Sequence, residues 1–275
     1  MSSLCTEGIK ALDTIATVDS LWRYPVKSMR GEELSEAFVG FSGLYGDRYF
    51  AFKCTTRPRG FPYLTAGHHP GLLQYRPRFR HPAKAARPTN LAEAEAVAPG
   101  LTPVYADPAD MVVDVETPTG QVLAIDDPAL LGMLQSGVPG EAVLSLTHSV
   151  RALTDCRPLS IISFQRIRSL GEELGTPLDR RRFRANIYLN FHEGNGPLEN
   201  GLVGRSLRIG SKAVISVLEQ DPRCAVINLD PDSGESTPAI LRHVARTHDG
   251  DAGVYAAVLV EGTIHKGDAV ALVKD

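Results

Sequence analysis

Apolar and polar residues alternate with a period of two along much of the chain, the pattern of strands buried on one face. Thr14 to Lys27 (TIATVDSLWRYPVK) opens it, with Pro25 limiting ladder hydrogen bonds near its end, so Lys27 and Ser28 fall at a strand terminus. Gly31-Glu32-Glu33 predicts a turn and Leu34 to Val39 a second strand; Gly43, Gly46 and Asp47 then turn the chain into a third strand, Arg48 to Lys53. Residues 57 to 77 are dense in proline and glycine and predict an ordered loop or edge, with Leu64-Thr65 closing a strand. Arg78 to Gly100, rich in alanine, proline and charge, predicts an excursion or mobile loop. Met111 to Val115 and Gln121 to Ile125 flank Pro118-Thr119-Gly120 as a hairpin, and Asp126-Asp127-Pro128 caps a helix running through Leu134.

Near Pro139-Gly140 the texture changes. Val143 to Leu153 is strand-like, and Ile161, Ile162, Phe164, Ile167, Leu170 and Leu174 recur at helical steps up to Gly175. Asn186 to Asn190 predicts a strand, Leu207 to Gly210 and Ala213 to Leu218 a strand pair, and Thr237-Pro238 the start of a helix through Arg246. Val254 to Val260 and Ala269 to Val273 predict a closing hairpin. Many short strands with few helices give a mainly β, α+β chain with barrel architecture, because closure hides strand edges. The change at residue 139 divides it into 1–138 and 139–275.

Composition narrows the chemistry. At 275 residues and 43% hydrophobic content the chain buries a full core without staples. Cys5, Cys54, Cys156 and Cys224 form no close pair, which excludes a zinc ribbon or an iron–sulfur cluster and predicts a reducing compartment. The first twenty residues hold Glu7, Asp13 and Asp19 with no long apolar run, and no apolar run reaches membrane-spanning length, so the expectation is a cytoplasmic protein without membrane or leader. A formal net charge of −3 gives no general attraction to nucleic acid.

Cys224 stands where the alternating segment 212–218 gives way to the turn-rich Asp230-Pro231-Asp232-Ser233-Gly234-Glu235. Beside Arg223, its sulfur is a soft metal ligand or an activated nucleophile; the alternative is a small buried hydrophobe. Arg180-Arg181-Arg182-Phe183-Arg184 concentrates four guanidinium groups, either a solvated cluster or a phosphate clamp. Arg48, beginning a strand beside a glycine-rich turn, reads as a surface ion-pair partner or an anion clamp. His68-His69 is not read as a metal pair, since neighbours on a strand point to opposite faces and no ligand partner lies at suitable spacing.

Five segments stand in order: Tyr24-Pro25-Val26-Lys27-Ser28 with Gly31; Gly43-Leu44-Tyr45-Gly46-Asp47-Arg48; Arg182-Phe183-Arg184-Ala185-Asn186-Ile187; Pro222-Arg223-Cys224 with the DPDSGE run; and Gly262 with Gly267-Asp268. Together they resemble the MOSC family, the molybdenum cofactor sulfurase carboxy-terminal domain. The resemblance covers residue 15 to the end, so that 1–138 corresponds to the family's N-terminal β-barrel region and 139–275 to the MOSC domain. The pattern is similar to amidoxime-reducing molybdenum proteins. It implies a molybdenum cofactor (Mo-molybdopterin) with Cys224 as catalytic metal ligand. Lys27, Ser28 and Arg48 would hold its phosphate and pterin end, with Asp155, Arg182, Arg184, Asn186 and Arg223 as further cofactor-binding residues.

The implied reaction is reduction of N-hydroxylated compounds: amidoximes, hydroxylamines or N-hydroxylated bases. No ferredoxin-like cysteine set is present, so electrons would come from a separate ferredoxin-, flavodoxin- or cytochrome-type protein. Ile227-Asn228 stands where amidoxime reducers often carry two threonines, and Ala185 replaces the proline of the family's RPN segment. The alternatives are a sulfur carrier using Cys224 as a persulfide, independent of pyridoxal phosphate in this chain, and a cofactor-delivery protein.

Overall fold

The computed structural model describes residues 14–97, 104, 106–192 and 199–273. Cys5, Glu7 and Asp13, and the last three residues of the expected excursion, lie outside them. Among the described residues the fold is mainly β with four α-helices, built on a closed barrel of seven strands. Around the barrel run Thr14–Arg23, Ala269–Leu272, Ser206–Ile209, Ala213–Pro222, Asp251–Val260, Leu159–Ser163 and Ile187–Phe191, and the last pairs back onto the first. One junction is parallel, Leu159–Ser163 beside Ile187–Phe191, and it is spanned by the helix Phe164–Leu174, since parallel neighbours need a crossover. Closure leaves these strands no free edge.

Alternation fills the barrel with aliphatics: Ile15, Val18, Leu21, Ile161, Ile187, Leu189, Ile215, Val217, Val254 and Val270 are all buried in one cluster. A second cluster gathers Phe50, Phe52, Leu72, Phe79, Met111, Val113, Leu130 and Leu134 around the strand pair Phe50–Cys54 and Leu144–His148 and the sheet of Arg76–Phe79, Val113–Glu116 and Val122–Ala124. The sheets run across residues 138/139. Thr14–Arg23 is a barrel strand, Leu144–His148 pairs with Phe50–Cys54, and Glu36–Gly40 pairs with Gly262–His265.

The hairpin over 113–124 and the helix Pro128–Ser136 form as the sequence predicts, the latter with Asp127 Oδ1 accepting from Ala129 N at 2.8 Å. The helix Phe164–Leu174 ends at Gly175 in the left-handed region (φ 68°), where glycine bears no Cβ penalty.

Five expectations are corrected. Ile161 and Ile162 belong to the strand Leu159–Ser163, because a strand running into a helix briefly mimics the helical repeat. Glu32–Leu34 is a strand rather than a turn, paired with Leu21–Arg23. The final strands form no hairpin. Gly262 turns the chain so close to Ala213 that a Cβ would sit 3.0 Å from its backbone nitrogen, and Gly262–His265 intervenes as a strand of its own. Within the expected excursion, Leu91–Val97 is a helix whose Glu95 pairs with Lys212. The Thr237 side chain caps nothing; at the start of the helix Ala239–Thr247, Leu241 N donates instead to Asn228 Oδ1 at 2.8 Å.

Candidate functional site

The long strand Ala213–Pro222 delivers Cys224. Its pairing with Asp251–Val260 slips register between Gln220 and Pro222, and such irregularities re-aim a chain as it leaves a sheet. Arg223 N donates to Gly250 O at 2.8 Å and its side chain donates to Ala252 O and Phe183 O (2.5 and 2.8 Å), anchoring the turn. Cys224 then stands exposed at the start of the single turn Ala225–Asn228, facing a cavity of about 390 Å³. The buried-hydrophobe reading of this cysteine is thereby excluded. Arg223 is turned toward Asp221, with Nη2 2.9 Å from Oδ2, yet that buried Nη2 makes no hydrogen bond of acceptable geometry.

All nine residues singled out in the sequence line this one cavity: Lys27, Ser28, Arg48, Asp155, Arg182, Arg184, Asn186, Arg223 and Cys224. They arrive from both halves of the chain. Among the described non-glycine residues only four have positive φ, and three of them are here: Ser28 (67°), Arg48 (45°) and Arg184 (52°). Each such conformation costs on the order of 1–3 kcal/mol, and strain of this kind concentrates at functional sites. The surrounding contacts enforce it. Arg48 Nη2 donates to Arg184 O at 3.0 Å, and Arg184 Nη2 donates to Met29 O at 2.8 Å. The ring of Tyr24, only 2% exposed, is clasped between the two guanidinium groups at 4.6 and 4.3 Å.

Charge at this wall is shaped by burial. Lys27 is 4% exposed, packs over Phe61 and Tyr63 (5.0 and 5.4 Å), and donates to Leu153 O and Asp155. Burial pulls its pKa down, and Asp155 opposes the fall. Burial pushes the Asp155 carboxyl up, but Lys27, Arg48 and Arg184 together bring it below the usual range. Arg184 is lowered by burial, with Tyr24 opposing and Arg48 adding to the fall. Arg48 is also disfavoured by burial, but Asp47 outweighs this and holds its charge firmly.

The arginine cluster divides. Arg180 pairs with Asp19, and Arg181 with Asp179 and Asp232, both away from the cavity. Arg182 reaches it while donating to Asn228 O at 2.9 Å and to Asp230 Oδ2 at 3.3 Å, and so ties the DPDSGE turn to the cysteine segment. Asn186 is 1% exposed and spends its amide on backbone, accepting from Ser160 N (3.2 Å) and donating to Trp22 O (3.3 Å). It stitches the wall together.

Other lining residues carried no signal in the sequence. Ser160 Oγ donates to Asp221 Oδ2 at 2.6 Å; burial raises the Asp221 carboxyl, with Arg223 and Ser160 opposing. Tyr255 is raised by burial and by that carboxylate. His68, set aside in the sequence as half of a histidine pair, lines the cavity from a turn rather than a strand, with Nδ1 2.7 Å from Thr65 Oγ1. Loss of hydration, then Arg57, lowers its pKa.

The wall bears six basic side chains, Lys27, Arg48, Arg157, Arg182, Arg184 and Arg223, against the carboxylates Asp155 and Asp221. One rim offers an accessible thiol. An anionic, phosphate-bearing group with a thiophilic metal suits this donor set.

Residues 148–271 match the MOSC domain, and residues 15–80 match the MOSC N-terminal beta barrel domain. No curated protein matches the sequence. Among solved structures, the chain is similar to the YUAD protein of Bacillus subtilis, at 12% identity over 94% of each chain with a TM-score of 0.46. It is also similar to YiiM of Geobacillus stearothermophilus, at 22% identity over 43% of this chain and 55% of that one with a TM-score of 0.35. YiiM of Escherichia coli gives 18% identity over 43% and 55%, with a TM-score of 0.33.

Proposed function

The chain belongs to the MOSC family, which is associated with binding of the molybdenum cofactor, and from that premise we propose that it is a molybdenum-cofactor oxidoreductase reducing N-hydroxylated compounds. The observation that carries this reading is the meeting of an accessible Cys224 with a basic wall of Lys27, Arg48 and Arg184 in one cavity. Cys224 would be the protein's ligand to molybdenum. Lys27, Ser28, Arg48 and Arg184 would hold the phosphate and pterin end, with Arg182 and Arg223 fixing the loops around it. When bound, the group supplies two-electron oxygen-atom transfer chemistry, and the chain has only to orient and protonate.

Reduction of R–NHOH to R–NH2 and water consumes two electrons and two protons. The electrons require a separate ferredoxin-, flavodoxin- or cytochrome-type donor. For the protons, His68 holds a titratable Nε2 at the cavity, its ring set by the Nδ1 contact with Thr65. Lys27 and Asp221 are less suited, being buried and committed to partners.

The test is molybdenum and pterin analysis of wild type beside Cys224→Ser, both produced in a cofactor-competent host, followed by an amidoxime assay with an artificial reductant. Metal and activity in wild type, and neither in the variant, are expected. Metal-free wild type would overturn the reading. The exposed thiol also suits sulfur transfer. In that case labelled sulfur from a desulfurase would appear on Cys224 and no N-hydroxylated compound would be reduced.

A further inference from the structure

Away from the cavity, the helices Phe164–Leu174 and Ala239–Thr247 are joined by three side chains whose ligating atoms all lie within 4.8 Å of one another. Glu173 Oε2 is 2.6 Å from His243 Nε2 and 2.7 Å from His248 Nε2. We propose that Glu173, His243 and His248 form a divalent-cation site, suited best to zinc, that clasps these two helices together.

Two imidazole nitrogens and one carboxylate oxygen are a donor set that zinc takes as three protein ligands with water in a fourth position. The side chains are 32%, 21% and 19% exposed, open enough to admit an ion and sheltered enough to hold it. Zinc bonds of ~2.0–2.2 Å in a tetrahedral arrangement place ligand atoms ~3.3 Å apart, so the carboxylate need withdraw by only ~0.6 Å from its present contacts. Glu173 sits in the last turn of its helix, where a side-chain rotation supplies this.

One neighbour would have to move as the ion binds. Arg166 Nη1 lies 3.3 Å from His248 Nδ1, which without an ion keeps the ring proton on Nε2, facing Glu173. An ion on Nε2 moves that proton to Nδ1, and the guanidinium must then yield. It has somewhere to go. Glu199 is fully buried, both its carboxylate oxygens lack a hydrogen-bond partner among the described residues, and Oε1 lies 3.7 Å from Arg166 Nε. Closure of Arg166 onto Glu199 would satisfy that carboxylate as the ion enters, the supporting role that groups behind metal ligands commonly play.

The experiment titrates the full-length protein with Co2+, then displaces it with Zn2+. The expected result is one equivalent, with the visible bands of four- or five-coordinate cobalt and no thiolate charge-transfer band, which separates this site from Cys224. Glu173→Gln, which preserves shape, and His243→Ala should each weaken binding by more than the ~10–100-fold that loss of a mere supporting group costs. His265→Ala, in a separate surface cluster with Glu36 and Asp268, should leave it unchanged. Proton NMR of the unmutated protein, which does not depend on any variant folding, should show two of the eight histidine rings shifting with Zn2+. Absence of binding, a thiolate band at one equivalent, unaltered affinity in both ligand variants, or no pair of shifting histidines would each overturn the proposal.

Discussion

The barrel interior and the cavity wall beside it are made of opposite materials. Inside the barrel, Ile161, Ile187, Ile215 and Val254 meet as neutral aliphatics on regular strands, and these side chains are satisfied by contact alone. At the cavity, Lys27, Arg48 and Arg184 are enclosed as cations, three residues adopt left-handed backbone, and the side chains are held by carbonyls and carboxylates from distant segments. The first arrangement releases free energy on folding; the second consumes some of it. The barrel therefore supplies the stability that lets the wall keep a geometry it would not choose alone.

The sharpest way to break this contrast is to hollow the barrel. Ile161→Ala should cost about 2–5 kcal/mol in denaturant unfolding, because an almost fully buried aliphatic leaves a cavity that neighbours on the two adjoining strands cannot refill. Loss of less than 1 kcal/mol would mean the barrel is not the source of stability. Cys224→Ser is the complement. An exposed side chain should change unfolding by less than ~0.5 kcal/mol, while molybdenum content falls to background. A variant that loses metal only because it unfolds would erase the distinction.

That contrast also explains what could be read in the sequence. Alternation at Thr14–Arg23 and Ala213–Pro222 announces barrel strands because burial on one face imposes period two, and the cap at Asp127 is local chemistry within three residues. Eight of the nine cavity residues lie in the five short segments whose fixed order carries the family resemblance, and Asp155 lies in the less distinctive Thr154-Asp155-Cys156-Arg157-Pro158. What stayed hidden depends on contacts remote in sequence. Asn228 caps a helix eleven residues on, Tyr24 lies between Arg48 and Arg184, and Gly262–His265 pairs with Glu36–Gly40 across most of the chain. His68 was overlooked because a strand was assumed where the chain turns. Periodicity records which face is buried, not which distant group arrives to meet it.

Relieving strain at the wall should separate stability from retention more finely. Ser28 is buried at φ 67°, where glycine is free of the ~1–2 kcal/mol left-handed penalty and gives back ~0.5–1 kcal/mol in unfolded-chain entropy. Ser28→Gly should therefore be more stable by roughly 0.5–1 kcal/mol and yet retain less cofactor on dialysis, having lost a hydroxyl donor. A variant both less stable and fully loaded would show that Ser28 packs rather than binds.

The smallest effect expected is on the acid limb of stability, and it too distinguishes the two regions. Asp155 has a folded pKa below its unfolded value: burial pushes it up, but Lys27, Arg48 and Arg184 outweigh that. A depressed carboxyl contributes stability that is complete above the ordinary value of ~3.9 and is lost as pH falls through the lower, folded value, because the unfolded chain takes up the proton first. The contribution is modest, since 58% of the Asp155 side chain faces open space and its attraction to Lys27 is screened there. Asp155→Asn should accordingly lower Tm slightly near neutrality, leaving Lys27 buried without its counterion, and flatten the decline of Tm below about pH 4. Ile161→Ala should instead displace the whole Tm–pH curve downward with its shape intact, because no aliphatic contact binds a proton. Superimposable acid limbs for wild type and Asp155→Asn would mean that the Lys27 pair is spectator charge, and that the wall is held by its backbone contacts alone.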